Sequence, residues 1–343
     1  MVNESLFDPD LFHDPLDLSH VKKEDVISFY KTMMSIRLAE EKLADEIINK
    51  NIKCPVHLSI GQEAIATGVS SALNLKFDKA FGNHRSHSHF LSMGGSFHSL
   101  FSECLGKVTG SSKGMGGSMH LYGEGFGFMG SVPIVSGTIP LAVGAGFALK
   151  YNKIKGIGVA YFGDGACEEG ILHESLNLAA VMDIPVLFVC ENNLYSSHLF
   201  IDERQKNKSV SRFANAAGVE FRVIDGNDVC LIAKTMHDAR KEMIKSNKPF
   251  FLECITYRWR GHVGPSEDND VGVDRKGNLD VWKKRDPIER LVKAALNNDL
   301  FSETDFAEIN SEIKTDIERS WKQALKDPFP KETQLLDTVY KKP

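Results

Sequence analysis

The sequence has no apolar run approaching the roughly 18 residues that a membrane-crossing helix needs, so no helical span is expected. It also lacks a basic excess: 41 lysines and arginines stand against 46 aspartates and glutamates, a formal net charge of −5. Nucleic-acid binders are usually basic, so that class is not expected. The six cysteines, at 54, 104, 167, 190, 230 and 254, form no CxxC pair. They read as buried free thiols of a reducing compartment. The opening stretch MVNESLFDPDLFHDPLDLSH has neither the basic start nor the apolar core of a secretion signal. It is acidic, the opposite of a mitochondrial transit peptide, and a cytoplasmic protein is expected.

What is present is an ordinary globular composition, 42% hydrophobic and 25% charged, in a chain of 343 residues that can bury a large core. Its organising stretch is Gly163-Asp164-Gly165-Ala166, read together with Glu191-Asn192-Asn193-Leu194-Tyr195. Ile157 to Phe162 (IGVAYF) and Pro185 to Cys190 (PVLFVC) are short apolar runs, the pattern of buried strands. Between them Ile171, Leu172, Leu176 and Ala179 recur at helical spacing, within a helix expected from Glu168 to Met182. Strand, acidic turn, helix, strand makes a βαβ unit with both polar turns on the sheet's carboxyl edge, where ligands bind. Asn193 follows Asp164 by 29 residues, yet the two sit at the tips of strands that could be neighbours. A carboxylate, an amide oxygen and a main-chain carbonyl are hard ligands, suited to Mg²⁺ or Ca²⁺ beside a phosphate rather than to zinc. As an isolated triplet Gly-Asp-Gly is an ordinary turn; the pairing with the two asparagines is what gives it meaning.

GDG followed by NN resembles the thiamine diphosphate motif. GDGACEEGILHESLNLAAVMDIPVLFVCENNLY resembles the α-subunit of the two-chain E1 component of 2-oxoacid and acetoin dehydrogenase complexes, and the resemblance runs from about residue 25 to 330. It implies an α/β, thiamine diphosphate-binding fold, a mostly parallel sheet with helices on both faces. It further implies the cofactors thiamine diphosphate and Mg²⁺, with Asp164, the Asn193 side chain and the Tyr195 carbonyl as metal ligands. Gly163, Gly165 and Ala166 line the cofactor beside them.

Other segments carry the same resemblance. In HLSIGQEA (57–64), Ser59 and Gln62 fit a capping box opening a helix through Leu73, and the family's histidine makes His57 a catalytic candidate. In Gly82-Asn83-His84-Arg85-Ser86-His87-Ser88-His89, three histidines suggest zinc, but no second motif completes a zinc signature and Arg85 would repel the ion. The resemblance instead sets Arg85 on the diphosphate, His84 beside it where pyruvate-type enzymes usually carry tyrosine, and His87 along the cleft. HRSHSH is closer to the acetoin-type pattern, and His89 reads as structural. The main chain of Pro133 and Val135 is expected against the aminopyrimidine ring. His262, in YRWRGH (257–262), corresponds to the family's active-site histidine; Val263 follows it where animal pyruvate-type enzymes carry a kinase-targeted serine, so that regulation is unsupported.

The remaining segments organise around this site. Residues 1–22 are an aperiodic arm or disordered tail, 23–330 one cofactor-binding domain with its C-terminal helices from 287, and 331–343 a tail. Glu24–Lys50, Ile139–Tyr151, Asp228–Ser246 and Ser302–Leu325 carry helical periodicity, and Asp286-Pro287-Ile288-Glu289 is a helix start. The glycine-dense run 106–130 reads as a long loop; its GxGxxG (125–130) neither follows a strand nor opens a helix. Ser196–Gly218 is a polar excursion and 269–278 a mobile loop.

The implied activity is cleavage of the C–C bond next to the carbonyl of a 2-oxoacid or acetoin, with the acyl group passed to the lipoyl group of an E2 acyltransferase. The glutamate facing the pyrimidine ring belongs to the family's β-subunit, so an α₂β₂ heterotetramer with its site between chains is expected. Two alternatives stand beside this: a stand-alone thiamine diphosphate enzyme, such as a decarboxylase or transketolase-like half, and a structural relative without cofactor.

Overall fold

The computed structural model describes residues 3–337 except 269, 270 and 274. Among the described residues eight strands are formed: β1 Lys79–Gly82, β2 Phe128–Ser131, β3 Gly158–Gly163, β4 Val186–Asn192, β5 Tyr195–Ser196, β6 Leu199–Phe200, β7 Glu220–Asp225 and β8 Phe250–Ile255. Six of them build one parallel sheet in the order β2-β1-β3-β4-β8-β7, and β5 and β6 form a separate antiparallel hairpin. The helices, in chain order, are α1 Lys23–Ile48, α2 Glu63–Ser71, α3 His87–Ser92, α4 Phe97–Cys104, α5 Ile139–Tyr151, α6 Gly170–Val181, α7 Ile201–Arg204, α8 Ser211–Ala216, α9 Val229–Ser246, α10 Lys276–Trp282, α11 Pro287–Asn297 and α12 Glu303–Lys326.

The central strands are buried on both faces, which is why they read as unbroken apolar runs rather than alternating ones. Their side chains still alternate in destination. Val159, Tyr161, Leu187 and Val189 enter the core built with α1, α2, α4, α9, α11 and α12. Ala160, Phe162, Phe188 and Cys190 enter the core under α5, α6 and α8. Within the first layer α12 buries Phe306, Ile309, Ile313, Ile317 and Trp321 in step. Each such side chain contributes roughly 1.5–3 kcal/mol by leaving water. Ser302 and Asp305 close a capping box at its start, and Asp286 caps α11 ahead of Pro287.

Registers bring the functional strand ends level. Gly163 pairs with Glu191 across β3 and β4, and Asn192 with Ile255 across β4 and β8. From β1 the chain steps outward to β2, then returns beyond β1 to β3 and proceeds the other way. Strand order therefore reverses between β1 and β3, and the crevice at their carboxyl ends is where an open α/β sheet binds ligands.

Several expectations need correction. The glycine-dense run contains β2, and β1 was not foreseen; both are four residues long with a glycine inside. Much of that run wraps the buried Glu103 carboxylate, which accepts the main-chain N–H groups of Ser112, Gly114, Gly116 and Gly117 at 2.7–3.0 Å. A Cβ at Gly110 would lie 2.4 Å from the same carboxylate. Residues 3–22 are no loose tail: Leu6 and Phe7 are buried with Leu279 and Trp282, and Arg285 and Arg290 donate to the carbonyls of Leu6 and Asp14. The 196–218 excursion holds β6, α7 and α8. Of the loop expected at 269–278, residues 269, 270 and 274 lie outside the described ones, and α10 takes up its end from Lys276.

Candidate active site

One cavity at the β1/β3 switch is lined by residues from seven segments, among them His57, His84, Arg85, Pro133, Val135, Gly163, Asp164, Gly165, Ala166, Asn193, Tyr195 and His262. The loop after β1 is shaped locally: Asn83 Oδ1 accepts the Arg85 N–H at 2.6 Å, and Ser86 Oγ donates back to the Asn83 carbonyl. A Cβ at Gly82 would collide with Ser86 Oγ at 2.1 Å, so the tight turn needs glycine there. Arg85 is buried; it donates to the carbonyls of Leu58 and His262, tying together the two segments that carry His57 and His262.

The HLSIGQEA segment is fastened from behind. The buried Glu40 carboxylate accepts Ser59 N–H and Oγ–H, so the capping box expected from Ser59 and Gln62 does not form and α2 starts at Glu63 without a side-chain cap. Gly61, at φ +95, packs where a Cβ would meet Trp259 at 2.4 Å and the Tyr257 carbonyl at 2.8 Å. Main-chain bonds from Trp259 to Ile60 and from Gly264 to Val56 then lay the His262 loop alongside. Asp268 pins that loop, accepting the His262 N–H at 2.9 Å and Arg258 Nη2 at 2.7 Å.

The result is a cluster of His57, His84 and His262, with ring centroids 4.7, 5.0 and 5.5 Å apart. Burial, then the charge of Arg85, pushes all three down, His57 to about 2, His84 to about 3 and His262 to about 4. They are neutral imidazoles at physiological pH, with Nδ1 of His57 and His262 buried and without partners among the described residues. Three imidazole nitrogens within 4.8 Å could hold a transition metal. The Arg85 and Arg258 guanidiniums in the same cavity wall oppose a cation and favour an anion instead.

His87 departs from expectation. It is fully buried and does not line the cavity: α3 begins at this residue and turns its ring inward, Nδ1 to Glu40 at 3.2 Å and Nε2 to Ser118 at 2.8 Å. The trio of histidines in HRSHSH is accordingly not assembled, since His89 stacks on Tyr161 and bonds Glu191 at 3.0 Å.

At the other end Asp164 opens a short 3₁₀ turn, Asp164–Glu168, so α6 starts only at Gly170 rather than at Glu168. Asp164 is buried, and burial raises its pKa although Arg204 pairs with it. One oxygen, Oδ2, is held by Arg204; the other, Oδ1, is buried with no partner among the described residues. A buried carboxylate oxygen without a donor is costly unless a ligand completes it. Asn193 is set by its own Asx turn, its Oδ1 accepting the Tyr195 N–H at 3.2 Å, while Nδ2 donates to Gln62 at 2.8 Å. Ser136, at φ +64, donates to the Ala166 carbonyl at 2.9 Å and so fixes the Pro133–Val135 segment to the GDG turn. The lining residues that sequence does not single out for the site include Gln62, just before α2, Arg258, within YRWRGH, and Tyr161, within β3.

Comparison with known proteins identifies the family. The dehydrogenase E1 component family profile matches residues 30–333. The chain is similar to the pyruvate dehydrogenase E1 component subunit alpha-1, mitochondrial, of Arabidopsis thaliana, 35% identical over 93% of this chain and 81% of that protein. It is 34% identical to the alpha type I subunit, mitochondrial, of Ascaris suum, over 94% of this chain and 81% of that one. With the chloroplastic alpha-3 subunit of Arabidopsis thaliana it shares 33% over 94% and 76%. The chain belongs to the dehydrogenase E1 component family.

Proposed function

We propose that this chain is the α-subunit of a two-chain E1 dehydrogenase of the pyruvate type, holding thiamine diphosphate through Mg²⁺. The observation that carries the reading is the unpartnered Asp164 Oδ1, which follows β3 as Asn193 follows the neighbouring β4 and shares a cavity with Asn193, Arg85 and three neutral histidines. Asp164, the Asn193 amide and the Tyr195 carbonyl would hold a hard cation through oxygen. Arg85 would carry the diphosphate charge, and the main chain of Pro133 and Val135 would hold the aminopyrimidine. When bound, thiamine diphosphate supplies the nucleophilic carbon and the electron sink that make the substrate C–C bond breakable. His57 and His262, each with an unpartnered Nδ1, and His84 beside them would hold and move protons at the reacting end of the site.

The partner is read from what the chain leaves bare. α5 is apolar around its whole circumference, as a helix buried on all sides is. Yet Tyr151 and, on α6, Val181 are 77% and 75% exposed, and Ile134 at the cavity mouth is 70% exposed. That face suits a β-subunit, which supplies the pyrimidine-facing glutamate, and a lipoyl-bearing E2 then takes the acyl group. A 2-oxoacid substrate is favoured by the likeness to pyruvate dehydrogenase E1 alpha subunits. Acetoin, which is neutral, is the second reading, favoured by His84 in the tyrosine position. Co-expression with the β-chain and dye reduction by pyruvate against acetoin tests this: reduction by pyruvate is expected, and reduction by acetoin alone overturns the substrate. Calorimetry of the complex tests the cofactor, and no uptake of thiamine diphosphate with Mg²⁺ overturns the whole reading.

A further inference from the structure

We infer that Arg204 is the positioning residue of the cation site: it grips Asp164 Oδ2 so that Oδ1 alone is presented to the cation, and it fastens the 195–204 excursion over the GDG turn. The inference rests on the cation reading of Asp164. Arg204 closes α7, and its guanidinium bridges two carboxylates, Asp164 and Glu168, at either end of the 3₁₀ turn. Its side chain is 6% exposed, so the bridge is shielded from solvent screening on the Asp164 side. Were Arg204 a substitute for the cation, it would be expected to draw on both oxygens of Asp164. Instead Oδ1 is left buried and open, so guanidinium and cation can be held together.

The same residue ties the excursion to the turn. Arg204 Nε donates to the Leu199 carbonyl at 3.1 Å, Tyr195 pairs with Phe200 in the β5–β6 hairpin, and Ile201 N–H bonds the Leu194 carbonyl at 2.8 Å. Beneath them Gly165 leaves room for Ser196, whose Oγ would lie 2.4 Å from a Cβ there. Arg204 thus holds two ligand-bearing segments in one arrangement, the carboxylate of Asp164 and the main chain at Tyr195. Loss of Arg204 frees Asp164 to rotate and lets the hairpin lift, and both weaken the cation.

The test uses the complex with its β-chain, with Mn²⁺ as probe followed by electron paramagnetic resonance, and hydrogen exchange of the 195–204 amides. Arg204→Gln is expected to weaken Mn²⁺ at least tenfold and to speed exchange across 195–204 in the cation-free complex. Arg204→Lys, which keeps the charge but not the fork, is expected to fall between, and stands in if the glutamine variant does not fold. Glu168→Gln, which leaves Arg204 on Asp164, is expected to change affinity less than threefold. Unchanged or tighter Mn²⁺ in both Arg204 variants overturns the inference, including where only the melting temperature drops, since that marks a merely structural ion pair. Absence of Mn²⁺ binding by the unsubstituted complex overturns the cation reading itself, and the positioning role with it.

Discussion

Two buried carboxylates, Asp164 and Glu103, both sit among glycines, and they end differently. Glu103 gathers four main-chain N–H groups from 112–117 and has both oxygens filled. Asp164 has one oxygen on Arg204 and the other on nothing among the described residues. Glycines around Glu103 let the backbone close over the acid; Gly165 beside Asp164 makes room for Ser196 and brings no donor to the acid's open oxygen. A filled carboxylate organises a loop, and a half-filled one awaits a ligand. The number of open lone pairs, more than burial or glycine context, separates structural from functional acid here.

The contrast is sharpest under substitution. Asp164→Asn is expected to abolish cation-dependent thiamine diphosphate uptake and lower activity of the assembled enzyme by 10³-fold or more, on the scale of losing a main electrostatic group. Its melting temperature should stay within about 5 °C of the parent, because Arg204 keeps Glu168. Retained uptake in calorimetry would break the comparison. Glu103→Ala should do the reverse: leaving buried amides unpaired at about 1–3 kcal/mol each, it should lower the urea midpoint sharply and open Lys113 to trypsin. A stable, protease-resistant Glu103→Ala would mean that the loop does not depend on its acid.

A smaller effect is expected at Gly61. Gly61→Ala meets both a positive φ and Trp259, a loss of about 1–3 kcal/mol read in denaturant melts, with weaker cofactor uptake as the His57 and His262 segments part. Smallest is the pH response of the histidine cluster. Unfolded histidines take protons below about pH 6.5 whereas these, at about 2 to 4, do not, so the unfolded chain binds more protons and stability falls as pH drops from about 6.5. His84→Phe should flatten that decline without shifting the neutral-pH plateau of the pH–Tm profile by as much as Glu103→Ala. A decline that is as steep in His84→Phe would place the responsible groups elsewhere.

How much of this was legible from sequence follows physical range. β3, β4 and β8 are apolar on both faces and announce themselves, and the GDG and NN turns are readable because each ends such a strand. α5 was legible to the residue, α11 through its cap and α12 through its apolar periodicity. Partners chosen across long chain separations were not. Ser59 looked free to cap α2 until Glu40, 19 residues earlier, took it. His87 looked like a cleft residue because HRSHSH does not reveal where α3 begins, and that sets which way the ring points. Arg204 lay in a polar stretch indistinguishable from a solvated surface, 40 residues from the carboxylate it grips. The four-residue strands β1 and β2 fall below any periodicity and are carried by their neighbours in the sheet.

The arm at residues 3–18 has a consequence for synthesis. Its Leu6 carbonyl accepts from Arg285, 279 residues later in the chain. At the roughly 5–20 residues per second at which ribosomes extend a chain, that partner emerges roughly 15–55 s after the arm does. Throughout that interval the Leu6 carbonyl lacks this donor, so the tie between the arm and the segment that carries Arg285 can form only once both have emerged.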